Sequence, residues 1–280
     1  MHADVISVPR NLLVPVDDSV SMKIASTVTL GAIALQGIRR LQPTLGETFI
    51  VFGLGILGQI TSQILKANGC RVIGIDLDEA RIDRALDLGA DFGFNSALTP
   101  PVEAIHRLSN GLGVDGVIVT AATSDQELLN TSFAMCRPKG RVVLVGDVPI
   151  TIDRSAIYRH ELEFLISTSY GPGRYDPTYE EGGRDYPAAY VRWTEQRNLQ
   201  AVLDLMAGGR LDVSPLISHR FEIDRAEQAY ELHAHDRLDG RAARGALPHA
   251  RLERRHVPVE QATTAAIASR HTASARNGLL

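Results

Sequence analysis

Cysteine, lysine and long apolar runs are all scarce in this chain of 280 residues. Its two cysteines, Cys70 and Cys136, are too few for a disulfide-stapled fold or a cysteine-rich zinc site. No stretch contains the roughly 18 apolar residues that a membrane-spanning helix needs. The first residues also lack the charged and then apolar pattern of a signal peptide. We therefore expect a cytoplasmic protein that has no membrane as a partner.

The remaining composition is ordinary. A hydrophobic fraction of 44% and a charged fraction of 22% are typical of a soluble globular protein with one large domain or two modest ones. The net charge of -4 gives no reason to expect nucleic acid as a partner.

Residues 49–76 carry the most informative pattern. An apolar, β-branched run, typical of a buried parallel strand, leads into Gly53, Gly55 and Gly58, which have G-x-G-x-x-G spacing. An apolar-periodic helix follows, and a second apolar run ends on Asp76. Glycine at these three positions admits a pyrophosphate to the helix N-terminus and allows close helix–strand packing, while an acid at the next strand end binds a ribose diol. The alternative is a glycine-rich turn in some other doubly wound protein.

The rest of the chain alternates helical and strand patterns. Strands are predicted at residues 49–52, 72–75, 92–94, 114–119, 141–145 and 163–167. Helices are predicted at residues 21–40, 56–67, 78–88, 101–108, 125–135 (with Ser124 as N-cap) and 154–158. Strand–helix alternation of this kind predicts a parallel sheet that is covered by helices on both faces.

Residues 170–187 break this alternation with Gly, Pro, Tyr and charged residues in no period. Because disordered segments are poor in aromatics, we expect an ordered loop over a cofactor or substrate cleft, with a subunit contact as the alternative. A helix at 198–207, a strand at 216–221 and a helix at 225–232 are predicted next. Beyond residue 235 no apolar period is sustained, and we expect a disordered or weakly helical tail.

Four segments together resemble a known family. ASTVTLGAIALQGIRRLQPTLGETFIVFGLGILGQ, CRVIGIDLDEARIDRALDLGAD, GVDGVIVTAAT and KGRVVLVGDV are similar to the cofactor-binding half of the medium-chain dehydrogenase/reductases, the zinc-type alcohol dehydrogenase superfamily. The run STSYGPGRYDPTYEEGG further resembles a branch that is fused to a domain like glucose-fructose oxidoreductase. The resemblance implies an α/β fold with a doubly wound, parallel six-stranded sheet of the Rossmann type and remnants of a truncated second domain.

The resemblance also implies a division of the chain. Residues 1–25 would be a remnant of the N-terminal catalytic barrel, and 26–170 the NAD-binding domain. Residues 171–235 would be the loop and the return to the catalytic domain, and 236–280 the tail. An unpaired edge at the sixth strand would allow a homodimer, and another chain could instead complete the protein.

Site residues follow from the same resemblance. The pyrophosphate would lie against Gly53, Leu54, Gly55, Ile56, Leu57 and Gly58. Asp76 would bind the adenosine ribose and favour NAD over NADP, because a carboxylate repels a 2′-phosphate. Arg81 would lie at the adenine rim, or would be a solvated helix charge. The nicotinamide would face Thr120, Ala121, Ala122, Val145, Gly146 and Asp147. The substrate-side candidates are Tyr170, Arg174 and Tyr175.

The sequence departs from the family at the metal. Val28 stands where the family has a zinc-binding cysteine, so no metal ligand is assigned and zinc is not expected in this chain. Two functions remain open. One is an NAD-dependent oxidoreductase of the alcohol dehydrogenase type that acts on a small-molecule alcohol or carbonyl, such as a sugar derivative. The other is an NAD-binding module without chemistry of its own, which would be a truncated gene product lacking the zinc-binding catalytic domain or a subunit that another chain completes.

Two other nucleotide-binding classes fit the sequence less well. A short-chain dehydrogenase needs a Tyr-x-x-x-Lys pair, and no tyrosine here has a lysine four residues later. A methyltransferase also uses a glycine-rich turn with an acid after the second strand. The G-x-G-x-x-G spacing and the six strand–helix repeats argue against that class.

Overall fold

The computed structural model of the chain describes residues 7–221, 227–228 and 230–231. Its strands are β1 (Thr48–Phe52), β2 (Arg71–Asp76), β3 (Phe92–Asn95), β4 (Val114–Val119), β5 (Cys136–Leu144) and β6 (Glu163–Ile166). Its α-helices are α1 (Met22–Ala25), α2 (Val28–Leu41), α3 (Ile56–Ala67), α4 (Glu79–Asp87), α5 (Pro101–Leu108), α6 (Leu128–Met135), α7 (Arg154–Tyr158), α8 (Pro177–Glu180) and α9 (Glu195–Ala207). Short 3-10 turns lie at Arg10–Leu12 and Ser214–Leu216.

The six strands form one parallel sheet in the order β3-β2-β1-β4-β5-β6. The chain builds the sheet outward from β1 in one direction, then returns to place β4 on the other side of β1. Ligands of open parallel sheets bind outside the carboxyl ends of the strands at such a reversal. This topology confirms the predicted doubly wound, six-stranded α/β fold of the Rossmann type.

Apolar side chains cover both faces of the sheet. Phe49 of β1 packs into one buried cluster with helices α2, α3 and α9, whereas Ile50 faces a second cluster with α5 and α6. This alternation follows from the two-residue period of a strand that is buried on both faces. Among the described residues, no helix has the length and apolarity that crossing a bilayer requires.

The predicted single helix at residues 21–40 is wrong, because two helices, α1 and α2, occupy this stretch. Ser26 and Thr27 lie between them. Their hydroxyls donate hydrogen bonds to the carbonyls of Lys23 and Ile24, each at 2.8 Å. Serine and threonine side chains compete in this way for carbonyls that a continuous helix would use.

The predicted start of the helix at residues 125–135 is also wrong, since α6 begins at Leu128 and Ser124 does not cap it. Two local turns precede the helix instead. The Asp125 N–H donates to Thr123 Oγ1 at 3.2 Å, and the Glu127 N–H donates to Asp125 Oδ1 at 2.9 Å. These short-range bonds fix residues 123–127 outside the helix.

The predicted strand at residues 216–221 is wrong as well. A 3-10 turn forms around Pro215, and residues 217–221 have no strand conformation. Proline lacks the N–H that a strand ladder needs. The predicted helix at 225–232 falls largely outside the described residues, and the predicted tail at 236–280 lies wholly outside them. The proposed domain boundaries remain predictions.

Residues 170–187 form a loop that contains the short helix α8. Asp176 caps this helix, since its Oδ1 accepts a hydrogen bond from the Thr178 N–H at 2.9 Å. The loop is anchored to the N-terminal segment, because Asn11 Nδ2 donates to the Tyr179 carbonyl at 2.9 Å. Buried bonds of this kind give the loop one defined path over the ends of α2 and α9. Its proposed position over a ligand cleft remains a prediction.

Candidate cofactor-binding site

The three glycines of the motif have different physical roles in the β1–α3 turn. Gly53 has a φ of +96°, and a Cβ there would overlap the backbone of Ala121. A Cβ on Gly58 would overlap the carbonyl oxygen of Gly53, so glycine permits close packing of α3 on β1. A Cβ on Gly55 would instead meet nothing within 4 Å. The backbone at Gly55 therefore borders open space, into which a ligand can approach.

The N-terminus of α3 opens onto this space. The helix begins at Ile56 with Gly55 as its N-cap, and it has no side-chain cap and no acidic residue in its first turn. The first N–H groups of a helix have no partner within the helix, and the helix dipole favours negative charge beside them. Residues 55–58 consequently offer the donors and the polarity that a pyrophosphate requires.

Asp76 ends β2 directly beside the glycine turn. Its Oδ2 accepts a hydrogen bond from the Leu54 N–H at 2.6 Å. Its Oδ1 accepts bonds from the N–H groups of Leu77 and Asp78 at 2.8 and 3.0 Å. The side chain is only 8% exposed. The carboxylate thus fixes the turn, and its remaining lone pairs lie at the mouth of the site.

Arg81 and Gln59 join the turn to α4. Arg81 Nη1 lies 3.7 Å from Asp76 Oδ2, and the Arg81 side chain is 26% exposed. Gln59 Nε2 donates to the carbonyls of Leu54 at 3.1 Å and Arg81 at 2.7 Å. Gln59 was not among the predicted site residues. A polar residue inside the apolar stripe of α3 is the one signal that could have indicated it.

The predicted nicotinamide-side residues lie at the ends of β4 and β5. Ala121 is next to Gly53, and a Cβ on Gly146 would overlap the Ala121 carbonyl. The Asp147 N–H donates to the same carbonyl at 3.1 Å, and an isolated parallel bridge joins Ala122 to Asp147. The ends of β1, β4 and β5 therefore meet as one continuous backbone surface.

Thr120 and Val145 also belong to this surface. Thr120 Oγ1 donates to the Gly53 carbonyl at 2.5 Å, so it ties the end of β4 to the glycine turn. The Val145 N–H donates to the Val119 carbonyl at 2.9 Å. A cleft of about 500 Å³ opens beside them, with a lining of Ala122, Thr123, Ser124, Asp147, Val148 and Pro149. A second hollow, at 154–162, lies away from the glycine turn.

The three substrate-side candidates form one group. The Arg174 guanidinium lies 5.4 Å from the centre of the Tyr170 ring and 4.1 Å from the centre of the Tyr175 ring. Arg174 Nη1 also pairs with Glu180 on α8. Such cation–π contacts stabilise a fixed arrangement of the three side chains. The structure therefore brings these candidates together.

Two buried polar residues next to this group were not predicted. Glu195, in the first turn of α9, is fully buried, and burial, with a smaller contribution from the nearby Glu180, raises the pKa of its carboxyl to about 7. Asn198, one turn later, accepts a hydrogen bond from Arg39 Nε at 2.7 Å and donates one to the Tyr170 carbonyl at 2.9 Å. A sequence pattern does not distinguish such residues from the exposed polar face of a helix.

The described residues do not fit a zinc site. They contain no group of three or more His, Cys, Asp or Glu side chains that could bind a metal ion. Both cysteines are buried, and burial raises the pKa of the Cys136 thiol to about 12, whereas zinc binds the thiolate.

The sequence of the chain is similar to those of known dehydrogenases. Residues 57–182 match the family described as "Zinc-binding dehydrogenase". Sorbitol dehydrogenase of Rattus norvegicus is 26% identical over 215 residues, which are 76% of this chain and 54% of that protein. A probable D-xylulose reductase A of Neosartorya fischeri is 28% identical over 228 residues, which are 80% of this chain and 57% of that protein. The chain thus spans little more than half the length of these relatives.

A solved structure supports the fold. The alcohol dehydrogenase rspB of Escherichia coli CFT073, complexed with the cofactor NADH, superposes with a TM-score of 0.63. The two proteins are 23% identical, and the superposition covers 79% of this chain and 58% of that one. The chain is thus similar to zinc-binding dehydrogenases over residues 57–182, which are less than half of its length, and to polyol dehydrogenases at 26–28% identity.

Proposed function

We propose that the chain binds NAD(H) and serves hydride transfer between the nicotinamide and an alcohol or carbonyl carbon, as an oxidoreductase of the medium-chain alcohol dehydrogenase type. The observation that carries this proposal is the bond between Asp76 and the Leu54 N–H, at 2.6 Å. This bond supports the proposal because a carboxylate then lies beside an uncapped helix N-terminus, and dinucleotide recognition uses both features. The activity is proposed for the protein in which this chain acts, because the chain covers 54% and 57% of its two relatives.

NAD is proposed over NADP because of the charge at Asp76. A 2′-phosphate on the adenosine ribose would approach a buried carboxylate, and like charges in a site of low polarity repel strongly. The 2′-hydroxyl of NAD can instead donate a hydrogen bond to that carboxylate. Arg81, at 3.7 Å from Asp76, is partly neutralised by it and is proposed to lie along the adenine.

The nicotinamide end of the site is assigned to residues 120–122 and 145–147. When bound there, the cofactor would supply C4 as the donor or acceptor of the hydride. The chain's own contribution is a rigid backbone surface, on which Thr120 fixes Gly53 and the Asp147 N–H fixes Ala121. Such a surface orients the ring and excludes water from one of its faces.

The proposed substrate is a small polyol or sugar derivative. Sorbitol and D-xylulose appear in the names of two relatives, and both are polyhydroxylated. Tyr170, Arg174 and Tyr175 are proposed as its contacts, since they present hydroxyls and hydrogen-bond donors on one loop. None of the described residues is assigned as a general acid, and hydride transfer needs a proton donor or acceptor that the proposal leaves to other parts of the protein.

Calorimetric titration with NADH and with NADPH tests the cofactor assignment. We expect micromolar binding of NADH and at least tenfold weaker binding of NADPH. Equal affinity for both nucleotides would contradict the role of Asp76, and no binding of either would contradict the cofactor site. Oxidation of sorbitol and xylitol with NAD, followed at the absorbance of NADH, then decides between catalysis by this chain and the alternative of a binding module.

The quaternary structure is proposed from the edge of the sheet. Within the part of the chain that the structure describes, β6 pairs with β5 alone, and Ile166 on this strand is 51% exposed. An unpaired edge strand with an apolar residue is a surface for pairing with a second copy. Analytical ultracentrifugation of the wild-type chain and of Ile166→Lys measures the molecular mass in solution. A homodimer that forms through β6 should dissociate in the variant. A wild-type chain that sediments as a monomer would favour completion by another protein.

The finer resemblance, to the branch fused with a domain like glucose-fructose oxidoreductase, is proposed from the run at 167–183 alone. A cytoplasmic location is likewise proposed from the sequence alone. Mass spectrometry of the protein from its own cells tests the fusion, because a fused domain would raise the molecular mass. Cell fractionation tests the location.

A further inference from the structure

Glu195 is the most unusual polar residue of the described part of the chain. It is 0% exposed, and neither of its carboxyl oxygens has a hydrogen-bond partner. Its backbone is nevertheless firmly held, since the Glu195 N–H donates to the Pro172 carbonyl at 2.8 Å. A buried carboxylate without partners is strongly disfavoured, whereas a neutral carboxyl is tolerated far better. Glu195 is therefore neutral in the observed arrangement.

Arg174 and Glu180 are the charged neighbours that act most strongly on Glu195. Arg174 pairs with Glu180 through Nη1, while its Nε is buried and has no partner. Arg174 therefore has one carboxylate bound and one donor without a partner, and it acts electrostatically on a second carboxyl, that of Glu195. A guanidinium in this position can pair with either glutamate.

Several other charged and titratable groups lie on the elements around Glu195. Tyr179 and Tyr186 stack on one another from the loop, with ring centroids 5.3 Å apart. The charged residues of the adjoining elements are Arg10 of the N-terminal segment, Arg39 of α2, Asp176 and Asp185 of the loop, and Arg197 of α9. Arg39 binds Asn198, Arg197 pairs with Asp185, and Asp176 accepts from Tyr186.

We infer that Glu195 is a positioning residue for the loop at 170–187: in its protonated form it leaves Arg174 paired with Glu180, and on ionisation it competes for Arg174. Because Arg174 stacks on Tyr170 and Tyr175, a change of its partner moves both rings. The loop turns at Gly171 and Gly173, whose φ angles of +121° and +104° residues with side chains rarely adopt. The inference rests on the proposed function only where it takes these rings as substrate contacts.

Trp193 reports this change without any cofactor or substrate. It is the only tryptophan of the chain and lies two residues before Glu195. Its ring is held between Arg39 and Arg192, with guanidinium carbons 3.4 and 3.8 Å from the ring centre. We expect its fluorescence to change between pH 5.5 and 8.5, with a midpoint near 7, where the pKa of Glu195 lies.

Three variants assign the transition. Glu195→Gln should remove it, because glutamine keeps the shape and stays neutral. Glu180→Gln should move the midpoint to lower pH, because a repelling carboxylate is lost and Arg174 is released. Glu181→Gln, an exposed neighbour on the same loop, should leave the midpoint unchanged. If Glu195→Gln does not fold, Glu195→Met, which is neutral and of similar length, takes its place.

Hydrogen exchange of the loop provides a second measurement. After correction for the intrinsic effect of pH, amides of residues 170–187 should exchange at least threefold faster at pH 8 than at pH 6 in the wild type, and equally in Glu195→Gln. Equal exchange in the wild type, or a transition that persists in Glu195→Gln, would overturn the inference. Because neither measurement uses a nucleotide, this result is independent of the outcome of the NADH titration.

Discussion

The carboxylate of Asp76 and the backbone N–H of Leu54 are joined across the glycine turn by a hydrogen bond of 2.6 Å. The residues are 22 positions apart. Asp76 is the last residue of β2, and Leu54 lies in the turn that follows the neighbouring strand β1. One side chain thus holds the turn that receives the pyrophosphate and faces the proposed ribose position. Loss of its charge should affect both the fold and the cofactor.

Asp76→Asn is expected to weaken NADH binding by about tenfold to a hundredfold, because a charged hydrogen-bond acceptor contributes about 1.5–3 kcal/mol. The preference for NADH over NADPH should shrink as well, since the carboxylate no longer repels the 2′-phosphate. Calorimetric titration with both nucleotides measures the two effects. An unchanged ratio of the two affinities would contradict the assignment of Asp76 to the ribose.

Asp91→Asn is the matched control for that experiment. Asp91 also accepts a backbone bond on β2, from the Val72 N–H at 2.7 Å, but it lies at the opposite end of the strand and pairs with Lys66. We expect it to lower the free energy of unfolding by an amount similar to Asp76→Asn, about 1–3 kcal/mol, without an effect on NADH affinity. A loss of affinity in both variants would indicate general destabilisation.

Gly55→Ala and Gly58→Ala should separate binding from folding. A Cβ on Gly55 meets nothing within 4 Å and its φ is −63°, so the variant should unfold at the wild-type temperature. The same Cβ would occupy the approach of the pyrophosphate, and NADH affinity should fall at least tenfold. Thermal unfolding and NADH titration of the variant measure the two properties. Wild-type affinity in Gly55→Ala would contradict the site.

Gly58→Ala should behave in the opposite way. Its Cβ would overlap the Gly53 carbonyl, so α3 must move away from β1. Overpacking of this kind costs about 1–3 kcal/mol, and the thermal midpoint should fall by several degrees before any nucleotide is added. If Gly58→Ala is as stable as the wild type, the close approach of α3 to β1 does not require glycine at position 58.

The sheet could be predicted from sequence because its strands are apolar runs between clear turn signals. Phe49, Ile50 and Val51 are all buried, because β1 is covered on both faces of the sheet. A continuous apolar run of this kind is typical of a central parallel strand. The glycine spacing and the position of Asp76 were equally local. These features depend on neighbours in sequence, which is where pattern analysis is reliable.

The errors arose where distant or competing contacts decide the structure. Ser26 and Thr27 break a helix through hydroxyl bonds that helix periodicity does not register. Pro215 starts a 3-10 turn in a segment whose residues favour a strand. Glu195 precedes the predicted helix at 198–207 and was not assigned a role, and its burial depends on a loop that begins 25 residues earlier. Burial of a polar residue by an irregular loop has no sequence pattern.

Asn198 is expected to be essential for the stability of the loop. It is fully buried and bonds Arg39 and the Tyr170 carbonyl, which belong to α2 and the loop. Asn198→Ala leaves two partly buried groups without this partner and opens a space in the core, and we expect a loss of about 2–4 kcal/mol in the free energy of unfolding. Urea denaturation measures it. Gln200→Ala, which loses only a bond to Asp204 on the same helix, should cost less than about 0.5 kcal/mol.

Glu195 should make the stability of the protein depend on pH in an unusual direction. The pKa of its carboxyl is about 7 in the folded state, against an ordinary value of 4.5. Between these values the folded state binds more protons than the unfolded state. The contribution is therefore fully present below pH 4.5 and is lost as the pH rises through 7. Its size is on the order of 3 kcal/mol, at about 1.4 kcal/mol for each tenfold change in proton affinity.

Glu195→Gln should cancel this dependence. At pH 5 the variant and the wild type should have similar free energies of unfolding, because both side chains are neutral in the folded state. At pH 8 the variant should be the more stable, since the wild type then buries a carboxylate beside Glu180. Urea denaturation of both proteins at the two pH values measures these free energies. The difference between the proteins at each pH cancels the effect of the other titrating groups, which they share. A difference between them that is the same at pH 5 and pH 8 would show that the Glu195 carboxyl is ionised throughout, with Arg174 as its partner.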